Sequence, residues 1–98
     1  MVQLTNHAEK RLKERNGLNK KSMQRIADRA YDKGVPRKKT KGRLRKWIDK
    51  AYYKTETPMD VKLYGDKLYI FTADGNKALV TVLFVPQDLM KDADKMIV

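Results

Sequence analysis

The spacing of apolar residues changes once along this chain, and the change sets the order of its parts. Met23, Ile26, Ala27, Ala30 and Tyr31 recur at helical intervals, as do Leu44, Trp47, Ile48, Ala51 and Tyr52. From Met59 the period becomes two: Met59, Val61 and Leu63 alternate with Asp60, Lys62 and Tyr64. Helices therefore come first and strands second. Helices laid on one face of an antiparallel sheet are the usual way such a pattern buries its apolar stripes. The expectation is an α+β domain of two layers, with N-terminal helices on a three- or four-stranded antiparallel meander.

Local signals bound the elements. Thr5 or Asn6 suits the N-cap of a first helix, which runs to Asn16 before Gly17, with Ala8 and Leu12 as a narrow apolar stripe. A second helix follows Asn19 and ends before Gly34. Residues 35–43, Val-Pro-Arg-Lys-Lys-Thr-Lys-Gly-Arg, read as a flexible basic loop because Pro and Gly interrupt regular structure. Thr57-Pro58 closes the third helix. Gly65-Asp66 fits a two-residue hairpin with glycine first, Lys67 to Ala73 forms the partner strand, and a second hairpin passes through Asp74-Gly75-Asn76. Ala78 to Val85 is an almost unbroken apolar run, the mark of an interior strand. The tail 87–98 has a short helical pattern around Leu89, Met90 and Met96.

All of this fits one domain of 98 residues, split into a basic helical half over 1–54, a sheet over 59–86 and a tail. Charge follows the same division. Residues 1–54 hold 18 Lys/Arg against 5 Asp/Glu, net +13, and residues 55–98 hold 5 against 7, net −2; together they make the chain's +11. A field of that sign attracts polyanions, and nucleic acid is the first partner to expect. No cysteine is present, which excludes disulfides, thiol nucleophiles and cysteine-bound zinc. There is no apolar stretch of signal-peptide or membrane-span length, so the expected setting is the bacterial cytoplasm, without membrane contact. One histidine, scattered acids and no glycine-rich phosphate loop point to no cofactor and no metal.

Two constellations stand out. On a helix, His7 shares a face with Arg11, Glu14 and Arg15. A histidine exchanges protons near neutral pH, and guanidiniums beside it suit a scissile phosphate. RNA cleavage without metal needs little more, because the 2′-hydroxyl is an internal nucleophile. The alternative is a solvated face on which Glu14 pairs with Arg11 or Arg15. The second constellation is Arg37, Lys38, Lys39, Lys41, Arg43, Arg45 and Lys46, a density of cations suited to phosphates, or else a solubilising loop. Of the aromatic residues, Trp47 and Tyr52 lie on a core stripe, Tyr53 and Phe71 are further stacking candidates, and Tyr64 and Tyr69 fit an exposed sheet face. Thr81, a hydroxyl inside the apolar run, needs a partner if buried.

The order of these features is itself informative: His7-Ala8, Arg11, Glu14-Arg15, Gly17-Leu18, a helix ending in Gly34, then Leu63 to Phe71 and Leu79-Val80-Thr81-Val82. It resembles the small helix-then-sheet ribonuclease toxins of the Barnase-EndoU-colicin-RelE superfamily, in particular short phage and prophage proteins. The resemblance implies a metal-independent endoribonuclease in which His7 is general acid/base, Arg11 and Arg15 hold the phosphate, and Thr81 contributes from a central strand. That fold usually has four strands, whereas three are legible here. The long basic segment 35–46 also suits a fold reused for binding alone, such as a phage inhibitor that occupies the nucleic-acid channel of a host defence complex.

Overall fold

Thr5 and Asn19 set the first two helices in place. The computed structural model describes residues 2–16, 19–52, 59–73 and 77–97, with the side chains of 15, 16, 52 and 94–97 left aside. The Thr5 hydroxyl accepts from the Ala8 N–H at 3.2 Å and donates to the Leu79 carbonyl at 2.8 Å. One side chain thus caps α1 (Asn6–Asn16) and ties it to a strand far along the chain. Asn19 caps α2 (Lys20–Lys33) by accepting from the Ser22 N–H at 2.9 Å. At the other end of α2, the Gly34 N–H reaches the Ala30 carbonyl at 2.9 Å. A Cβ at Gly34 would stand 2.4 Å from that carbonyl oxygen and 2.8 Å from the Lys62 Cβ, so close approach of the last turn of α2 and of the Lys62 side chain, rather than an unusual φ, requires glycine there.

Five strands form one sheet in the order β1-β5-β4-β3-β2. β3 (Met59–Tyr64), β4 (Lys67–Thr72) and β5 (Ala78–Phe84) are the expected meander. Gly65, at φ +63°, turns the first hairpin as its position required. The edges come from the helical half: β1 (Gln3–Leu4) lies parallel to β5, and β2 (Val35–Pro36) lies antiparallel to β3. Three or four antiparallel strands thus become five in a mixed sheet. Two-residue strands carry no period of their own, and only pairing with a distant strand creates them. The third-helix stop at Thr57-Pro58 and the second hairpin at 74–76 lie outside the described residues.

The chain is an α+β domain, but its helices cover both faces of the sheet. On one side Ala8 and Leu12 of α1 and Met23, Ala27 and Ala30 of α2 pack on Tyr69, Phe71, Leu79 and Val82. On the other, Leu44 and Ile48 of α3 (Gly42–Tyr52), with Leu89 and with Ala93 of α4 (Met90–Ile97), pack on Val61, Leu63, Leu68, Ile70 and Val85. The expected two layers are therefore three. β4 explains why: Leu68, Tyr69, Ile70 and Phe71 are all buried, which only a strand covered on both faces sustains. A β-bulge in β5 adds one residue between the partners of Ile70 and Phe71, so Leu79 and Val82 face the same core although three residues apart. The radius of gyration is 12.5 Å, close to the ~13 Å of a single domain this long.

Candidate nucleic-acid interface

The segment expected as a flexible basic loop is built instead as strand, turn and helix start. After β2 the chain makes a 3₁₀ turn over Arg37–Lys39. Thr40 is fully buried beneath it, its hydroxyl donating to the Arg37 carbonyl at 2.6 Å and its N–H to the same oxygen at 3.0 Å. Arg37 pairs through Nε with Asp49 of α3. Arg43 lies 3.6 Å from the Asp92 carboxylate and donates to the Asp88 carbonyl at 3.4 Å, which draws α4 toward α3. Six of the seven predicted cations are exposed, all but Arg37; besides Arg43 they are five, Lys38, Lys39, Lys41, Arg45 and Lys46. Among the described residues none of these five forms an ion pair.

Because β2 stops at Pro36, no strand among the described residues pairs with the outer edge of β3 beyond Lys62. A groove of about 580 Å³ opens there, with Arg37, Lys38 and Lys39 on one wall and residues 59–62 on the other. Asp60 is its acidic member. Another shallow groove, of about 430 Å³, separates α1 from α2 and is lined by Lys10, Lys13 and Lys20 with Glu9 and Asn6.

On α1, His7 is exposed and Arg11, one turn on, is half-buried. Glu14 is exposed and, among the described residues, makes no ion pair with Arg11. The Arg15 side chain lies outside the described residues. Thr81 is placed elsewhere. It pairs in register with Ile70, whose side chain belongs to the core under α3 and α4, so the sheet stands between Thr81 and α1. The structure brings His7 and Arg11 together on one helix and does not bring Thr81 to them.

The aromatic residues divide differently from their alternation. Tyr69, expected on an exposed face, is only 3% exposed, because α1 and α2 cover that face. Burial, with Asp66 and Tyr64 adding to it, holds its phenol proton well above the ordinary tyrosine range. Tyr64 is half-buried and meets Tyr69 edge-on at 6.4 Å. Phe71 is fully buried and meets Tyr31 edge-on at 5.2 Å. Trp47 is half-buried against the α3–α4 core. Tyr53 and the Tyr52 side chain lie outside the described residues.

Two features went unremarked in the sequence. Phe84, the exposed large apolar residue among the described ones at 41%, sits beneath the Lys67 ammonium at 5.3 Å, and its place at the end of an apolar run hid it. Lys21, Arg25 and Arg29 are all exposed and lie along the outer face of α2. Their four-residue spacing was the signal that could have found them.

Among the described residues no three His, Asp or Glu side chains converge on a metal-sized site, and no helix is long and apolar enough to cross a membrane. Comparison with protein-family models, curated proteins and solved structures returns no match.

Proposed function

We propose that this chain is an RNA-binding domain whose exposed lysines and arginines engage the phosphate backbone, with His7 and Arg11 as a candidate centre for metal-independent cleavage. The observation that carries the reading is the set Lys38, Lys39, Lys41, Arg45 and Lys46, exposed together around the start of α3 without ion-pair partners among the described residues. Unpaired surface cations gain most from a polyanion, because no internal contact is given up and condensed counterions are released. In cleavage, His7 exchanges the proton of the 2′-hydroxyl or of the leaving oxygen, and Arg11 offsets charge on the phosphate. The resemblance to the Barnase-EndoU-colicin-RelE ribonucleases supports these two roles. The proposed setting is the bacterial cytoplasm, where RNA is abundant.

A second reading is favoured by the position of Thr81. With the sheet between it and His7, the set that the resemblance implies is divided, which suits a binder better than a catalyst. In that reading a phage protein uses the same cations to occupy the nucleic-acid channel of a host defence complex. Incubation of the purified protein with total RNA in a chelator tests both. Cleavage supports the enzyme, whereas RNA binding without cleavage supports the inhibitor. Absence of RNA binding at low salt would overturn the RNA-binding reading.

A further inference from the structure

We propose that one molecule of this protein holds two RNA segments at once, on opposite sides of its sheet. The proposal rests on the RNA-binding reading above and adds a valency to it. The outer face of α2 presents Lys21, Arg25 and Arg29, all exposed, with Asp32 as its acidic neighbour. Lys41, Arg45 and Lys46, around the start of α3, are likewise exposed. These two sets belong to different layers. α2 packs on the sheet face that carries Phe71 and Leu79, and α3 on the face that carries Leu63 and Ile70.

An RNA segment lying along α2 therefore cannot reach the start of α3 except by passing round an edge of the sheet. Distance also lets both sites fill. The shortest dimension of the molecule is 21 Å, about twice the ~10 Å Debye length at ~0.1 M salt, so strands on the two sides repel one another only weakly. Each set offers three cations, those of α2 four residues apart on one helix face and those at the start of α3 clustered over its first turn, and each phosphate they contact adds salt-sensitive, sequence-independent attachment. The occupant is RNA rather than an acidic protein because exposed cations lie on both layers, in a regular row along α2 and in a cluster at the start of α3, which suits a repeating polyanion, and the chain's net +11 has the matching sign.

The test mixes the protein with two short single-stranded RNAs of the same sequence, one biotinylated and one fluorescent. Capture of the first on streptavidin should bring down the second, and native mass spectrometry should show one protein chain with two RNAs. The triple variants Lys21→Gln/Arg25→Gln/Arg29→Gln and Lys41→Gln/Arg45→Gln/Lys46→Gln should each still bind one RNA while losing co-capture. Should either triple variant lose its circular dichroism, the single variants Arg25→Gln and Arg45→Gln take its place and should weaken co-capture in part. A complex that saturates at one RNA per chain, a two-RNA species containing two protein chains, or co-capture untouched by either variant would overturn the proposal. A single strand wrapped round the sheet edge gives the first of these outcomes. Loss of all binding to a single RNA by wild type is a different failure, that of the RNA-binding reading itself.

Discussion

The Arg37 guanidinium is joined to the Asp49 carboxylate, a pairing that spans the turn after β2 and the outer part of α3. Both side chains are about one-third exposed, at 34% and 27%. The pair therefore contributes about 1 kcal/mol or less, and less still in salt. It also diverts one predicted phosphate ligand to a structural task. Arg37→Gln should lower the melting temperature slightly while leaving most of the salt dependence of RNA binding intact. By contrast, Lys38→Gln/Lys39→Gln/Lys41→Gln should flatten the log-log salt slope by about 2 if all three touch phosphate, at ~0.7 per contact. Fluorescence anisotropy over a salt series checks this, and equal slopes for the triple variant and wild type would remove the turn from the binding surface.

Trp47 packs against the α3–α4 core with part of its ring in solvent. Its truncation should cost less than the 3–5 kcal/mol typical of fully buried tryptophan, and about 2 kcal/mol is expected for Trp47→Ala. Leu44→Ala, at a fully buried site on the same helix, should cost as much or more despite its smaller side chain. Urea unfolding of both variants makes the comparison. A fully folded Trp47→Ala that had lost RNA binding would instead make the ring a stacking surface.

Tyr69 is buried, and among the described residues its hydroxyl has no hydrogen-bond partner. A buried polar group left unsatisfied costs stability, so Tyr69→Phe should be neutral or stabilising by up to about 1 kcal/mol at neutral pH. The alkaline behaviour follows from the direction of its shift. The folded protein holds the phenol proton more tightly than the unfolded chain does. Stability is therefore fully present below the ordinary tyrosine value of about 10 and declines as pH rises above it, since the unfolded chain ionises first. Tyr69→Phe should remove much of that decline. Melting curves across the alkaline range provide the check, and identical alkaline loss in the variant would assign it to other groups.

His7 and Thr81 stand on opposite sides of the sheet, and this separates their expected roles. If the protein cleaves RNA, His7→Ala should slow the reaction by about 10²-fold or more with affinity nearly unchanged, as for loss of a positioned general acid or base. Arg11→Ala should impair both rate and affinity. Thr81→Val should leave the rate close to wild type. A Thr81→Val loss as large as that of His7→Ala would mean that the reacting phosphate meets the α3–α4 side of the sheet.

What the sequence determined by itself is whatever neighbours along the chain decide. Caps at Thr5 and Asn19, the helical stripes, the glycine turn at Gly65 and the alternation from Met59 each act within a few residues, and all are found where the pattern placed them. The same holds for the concentration of charge in the first half. Tertiary structure alone decided the rest. Gln3–Leu4 and Val35–Pro36 become strands only because β5 and β3 offer open edges to pair with. Which sheet face α3 covers cannot be read from its own stripe, since Leu44 and Ile48 would bury equally well on either side. The side on which Thr81 lies depends on one extra residue in β5, because a bulge exchanges the faces of every side chain beyond it. Long-range pairing and packing thus placed the cations on two sides of the molecule and set Thr81 apart from His7 and Arg11, with which only the resemblance had grouped it.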